Sequence, residues 1–102
     1  MMTFGSYLRE LREKRQMTQI ELSATSQVTI PYISKLENDK APPPSEETCI
    51  SLANALGEDP YVFIVRAGKV PSDFQNVIFT DSEAFQYLSK KARAMNGGIR
   101  RD

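Results

Sequence analysis

Histidine is missing from this chain of 102 residues, and cysteine occurs once, as Cys49. Without histidine the chain lacks the commonest general base and the commonest metal ligand. A single cysteine excludes an internal disulfide and a thiolate cluster for a metal. Any hydrolytic or metal chemistry would fall to carboxylates alone, and no paired constellation stands out. Neither enzyme activity, nor a metal, nor a cofactor is expected. Long apolar runs are missing too: the longest is YVFIV, residues 61–65. That is far short of a bilayer span, and the N-terminus MMTFGSYLRE has no apolar signal core. A cytoplasmic protein is expected. Net charge is also absent, since 13 basic side chains balance 13 acidic ones. The overall basic excess of many nucleic-acid binders is therefore not present.

The charge is unevenly spread. Residues 1–40 carry six basic and five acidic side chains, 41–68 one and four, and 69–102 six and four. An acidic middle lies between mildly basic flanks, and local charges govern the field near a groove. The length fits one small domain with an appended element.

The apolar pattern is helical throughout. Phe4, Leu8 and Leu11 share one face of a first helix over residues 4–14. Thr18 and Glu21 have capping-box spacing and open a second helix, on which Leu22 and Ser26 share a face. After a short turn, Thr29 stands as the cap of a third helix. Pro31 is tolerated in its first turn, where an amide hydrogen would go unused. Ile33 and Leu36 face inward. Three consecutive prolines in NDKAPPPS forbid continuation. Ser45 then caps a fourth helix with Cys49, Leu52, Ala53 and Leu56 as its stripe, and Asp59 caps a fifth that ends at Gly68. Cys49 reads as a small core hydrophobe. Beyond residue 69, Phe74, Val77 and Ile78 suggest a short helix. Thr80 and Glu83 suggest another capping box, followed by a narrow seam of Phe85, Leu88, Ala92 and Met95. The expected organisation is a domain over 1–68, a helical extension over 69–95, and a disordered tail over 96–102.

Thr18-Gln19-x-x-Leu22, then Val28-Thr29-x-x-Tyr32-Ile33-Ser34-x-Leu36-Glu37, then Pro44 and Leu52-Ala53-x-x-Leu56 form a spaced series. With Leu8, Leu11 and Arg12 before it, the series resembles the phage-repressor type of helix-turn-helix family, the Cro-like or XRE-like regulators. The resemblance covers residues 4–68, about two-thirds of the chain. It implies an all-α fold, a five-helix repressor-like DNA-binding domain with a C-terminal helical extension. It further implies a cytoplasmic, prokaryotic or phage-encoded transcriptional regulator that binds duplex DNA, usually as a homodimer.

The resemblance also distributes roles. Thr29, Ile30, Pro31, Ser34 and Lys35 would face base edges. Lys35 can donate to guanine, while Ile30 and Pro31 can only touch thymine methyls or fit by shape. Gln19, Arg15, Asn38 and Lys40 are candidate phosphate contacts. Arg12 and Glu37 match positions that form a structural ion pair in the family. Gln16, Gln27 and Asp39 stand where glycine is common at helix ends, which puts the aim of the third helix in question. Three readings remain for Phe74, Val77, Ile78, Phe85, Leu88 and Met95. They pack onto the chain's own core, or form a seam with the same segment of a second subunit, or, in an antitoxin-like regulator, are the surface for a foreign protein partner.

Overall fold

The computed structural model describes residues 2–96. The expected tail falls almost wholly on 97–102, outside the described residues; Asn96 is the C-cap of the last helix. Among the described residues the chain is all-helical, and it divides into two compact units, Met1–Lys69 and Val70–Asp102.

The first unit holds α1 (Phe4–Lys14), α2 (Gln19–Ser26), α3 (Ile30–Glu37), α4 (Glu46–Leu56) and α5 (Pro60–Arg66). Each start has a local cause. Thr3 caps α1 by accepting from the Ser6 amide at 3.0 Å. At α2 the capping box is complete: the Glu21 amide donates to Thr18 Oγ1 at 3.0 Å and the Thr18 amide to Glu21 Oε1 at 2.8 Å. Ser45 and Asp59 cap α4 and α5 with single bonds, accepting from the amides of Thr48 at 3.3 Å and Tyr61 at 2.9 Å. Thr29 occupies the N-cap position of α3 without a side-chain bond. An N-cap oxygen accepts from the second or third helical amide; Pro31 has removed the second, and the Tyr32 amide does not bond to Thr29.

Five short helices can be stable only through a shared core. Leu8, Leu22, Ile33, Leu36, Leu52 and Phe63 are all buried in it. Phe63 meets Phe4 edge to face at 5.9 Å and Tyr7 at 5.3 Å between ring centres. The Arg66 guanidinium carbon lies 4.7 Å from the centre of the Tyr7 ring. Cys49 is fully buried. Burial pushes its thiol up to about 11, which the acidic Glu46 reinforces and Lys69 opposes.

The second unit holds α6 (Ser72–Thr80) and α7 (Ser82–Met95), and neither contains a buried residue. The expected Thr80–Glu83 capping box does not form. Thr80 is the last residue of α6, and its hydroxyl donates to the Asn76 carbonyl at 2.7 Å. Asp81 caps α7 instead, its carboxylate accepting from the amides of Glu83 at 3.0 Å and Ala84 at 3.3 Å. An anionic acceptor at a helix N-terminus also gains from the helix dipole. No described helix is long and apolar enough to cross a membrane.

Candidate nucleic-acid interface

The helix-turn-helix of the first unit spans α2, a turn at Gln27–Thr29, and α3. The turn is held from within: buried Ser26 accepts from the Val28 amide at 3.1 Å through its hydroxyl. Gln27 completes it in a left-handed conformation, φ +65°. Gln16 and Asp39, at the ends of α1 and α3, are left-handed too, with φ +55° and +56°. Three non-glycine residues thus hold a conformation that favours glycine, at a cost of about 1–2 kcal/mol per residue.

Helical spacing sorts α3 into two sides. Ile33, Leu36 and Glu37 are buried. Thr29, Ile30, Pro31 and Lys35 are exposed and Ser34 is half-buried, so the candidate base-reading residues share an outward surface. Tyr32 is half-buried against the core.

Arg12 and Glu37 meet as a bidentate pair. Arg12 Nε donates to Glu37 Oε2 at 2.6 Å, and Nη2 donates to Oε1 at 2.9 Å. Arg12 Nη1 also donates to the Met17 carbonyl at 2.8 Å, which ties the end of α1 to the approach of α2. The Glu37 side chain is fully buried, while that of Arg12 is 11% exposed. Arg9 adds a second cation, 3.5 Å from Oε1. Burial pushes the Glu37 carboxyl up, but the hydrogen bonds from Arg12 and Gln19 and the two arginine charges outweigh it. The group sits below the usual carboxylate range. Such a pair is favourable only when its remaining bonding sites are filled, as they are here.

The four candidate phosphate residues divide. Gln19 Nε2 donates to Glu37 Oε1 at 3.0 Å, so its amide braces the ion pair. Arg15 Nη2 pairs with Glu58 Oε2 at 2.5 Å. Asn38 Nδ2 donates back to the Ser34 carbonyl at 2.8 Å, within the last turn of α3. Lys40 is exposed and makes no ion pair among the described residues.

Gly5 is a determinant that the sequence pattern did not expose. A Cβ there would lie 2.1 Å from the Leu36 carbonyl oxygen and 2.6 Å from Asp39 Oδ1. Its bare Cα lets α1 touch the backbone at the end of α3. Asp39 is fixed from the other side, where its Oδ2 accepts from the Thr3 hydroxyl at 3.2 Å. A glycine inside an amphipathic helix was the only available signal.

Comparison with known proteins gives the same outline. A family profile described as helix-turn-helix matches residues 8–63, more than half of the chain. The HTH-type transcriptional repressor RghR of Bacillus subtilis (strain 168) is 30% identical over 89% of this chain and 83% of its own length. The uncharacterized HTH-type transcriptional regulator RghRB of the same strain is 36% identical over 84% of this chain. There the chain spans 61% of the relative's length.

Proposed function

The chain belongs to the XRE-like helix-turn-helix family of DNA-binding transcriptional regulators, and on that premise we propose that it is a repressor gripping an inverted repeat as a homodimer. The observation that carries the reading is the division of α3. One side is clamped by Glu37 to α1 and α2, and the other presents Thr29, Ile30, Pro31, Ser34 and Lys35 outward. A helix whose position is fixed by buried bonds can aim exposed side chains into a major groove.

Each half-site carries thymine methyls against Ile30 and Pro31 and a guanine near Lys35, with the remaining preference coming from groove shape. Lys40 holds a phosphate beyond the end of α3. Gln19 acts first as a brace for Glu37 and supports phosphate binding through the position of α2. Two recognition helices on successive turns sit about 34 Å apart. The relative RghR is named a transcriptional repressor, and by likeness we assign repression to this chain, with occupancy of the operator as its means.

In-vitro selection of bound duplexes tests this directly. The expected result is a palindromic consensus whose half-sites centre one helical turn apart. Enrichment of a single non-repeated site, or none, overturns it. The exposed apolar residues of α6 and α7 favour protein binding by that segment, and we assign it to a second copy of this chain rather than to an antitoxin-like foreign partner.

A further inference from the structure

The second unit poses a problem of stability. Its described helices contain nine and 14 residues, and not one side chain in them is buried. Val77, Phe79, Phe85, Leu88 and Met95 are 47–83% exposed. Units below roughly 40 residues usually need a disulfide, a metal or oligomerisation. The only cysteine is buried in α4 of the other unit, and no group of three potential metal ligands occurs among the described residues. Oligomerisation would bury the apolar side chains that these helices leave exposed.

The seam of α7 is self-complementary in one orientation. Phe85, Leu88, Ala92 and Met95 follow at intervals of three, four and three. Such a palindromic spacing maps onto itself when a second helix runs antiparallel. Leu88 then faces the small Ala92 of the other copy, and Phe85 faces the compliant Met95. Large opposes small or flexible at every level, as an isologous two-fold contact requires. The ends agree in charge. Asp81 caps α7, Glu83 lies in its first turn and Arg93 in its last, so antiparallel pairing opposes the helix dipoles and brings each acidic start toward the basic last turn of the other copy. Parallel pairing would stack Ala92 on Ala92 and like charges on like.

We propose that α7 pairs antiparallel with α7 of a second copy, through Phe85, Leu88, Ala92 and Met95, and that this contact is the dimer interface. The proposal rests on the homodimer reading above and specifies its interface. The full-length chain should run at the mass of two copies in light scattering, and Leu88→Asp should run at one. The thermal transition of the first unit should be unchanged by that substitution. Orientation is read by cysteine pairing, for which buried Cys49 is a quiet background. Mixed Leu88→Cys and Ala92→Cys chains should form a disulfide-linked dimer under mild oxidation, whereas Ala92→Cys alone should form none. A dimeric mass retained by Leu88→Asp places the interface elsewhere and overturns the proposal while sparing the homodimer. Ready self-linkage of Ala92→Cys overturns the antiparallel order. A wild-type chain that stays a single copy both free and on selected DNA overturns the homodimer reading and the interface together.

Discussion

Replacing Glu37 by alanine should be among the most damaging single changes in the first unit. The carboxylate accepts from Arg12 twice and from Gln19 once, and its side chain is fully buried. Glu37→Ala leaves Arg12, 11% exposed, with the Met17 carbonyl as its remaining hydrogen-bond partner, and leaves the Gln19 amide without an acceptor. Removing one member of such a pair costs about 3–5 kcal/mol. Small domains have roughly 5–15 kcal/mol in total. With about 4–8 °C per kcal/mol for a domain of this size, the melting temperature should fall by at least about 12 °C. Glu37→Gln keeps the shape and one acceptor, and should fall between. The pH dependence adds a check. The folded carboxyl sits below its ordinary value. Its contribution is therefore fully present above the unfolded value of about 4.3, and is lost as pH falls through the lower folded value. The gap between wild type and Glu37→Gln, followed by thermal circular dichroism, should be constant at neutral pH and close in acid. A Glu37→Ala chain melting within about 2 °C of wild type would refute the coupling (about 0.5 kcal/mol or less).

Gly5→Ala should destabilise by about 1–3 kcal/mol or more, because the new methyl meets the Leu36 backbone at 2.1 Å; an unchanged melting temperature would mean that α1 can retreat freely. Gln16→Gly with Gln27→Gly should raise the melting temperature by a few degrees. The gain from relieving two left-handed residues, about 1–2 kcal/mol each, exceeds the added freedom of the unfolded chain, about 0.4–1 kcal/mol each. Cys49, with its thiol pushed up to about 11 by burial, should react with a thiol reagent only as fast as the first unit opens, and promptly in denaturant. Lys40→Ala should make the log–log salt dependence of operator binding shallower by about 1 per bound chain, as measured by fluorescence anisotropy. Arg15→Ala, where the charge is already held by Glu58, should change it less.

The elements of the first unit were legible because their causes are local. Thr18 and Glu21 are three residues apart, Ser45 and Asp59 stand just before apolar stripes, and three prolines can only be a loop. Thr80 failed the same test because Asp81, one residue later, takes the Glu83 and Ala84 amides on its Oδ1. Spacing does not weigh competing caps. The left-handed turns at Gln16, Gln27 and Asp39 could be flagged but not decided, since their strain is offset only by the core that the five helices share. Gly5 was silent because the atom that excludes a methyl lies 31 positions away, on Leu36.

The candidate phosphate residues show most clearly where sequence position stops informing. A motif says where a side chain starts, whereas its donors go to the nearest acceptor. Gln19 finds a buried carboxylate across the domain, Arg15 finds Glu58 from the acidic middle, and Asn38 finds its own helix. For Arg15, trading an exposed partner for a DNA phosphate gains little, because exposed pairs are worth only about 0–1 kcal/mol. For Gln19 the trade costs a bond to a buried charge, which makes it the least available of the three. On the proposed reading, the electrostatic share of DNA binding falls on exposed cations that form no ion pair among the described residues, of which Lys35 and Lys40 lie around the end of α3. A chain with no net charge can bind a polyanion this way: its acidic groups neutralise arginines that serve the fold, and leave cations exposed where the recognition helix ends.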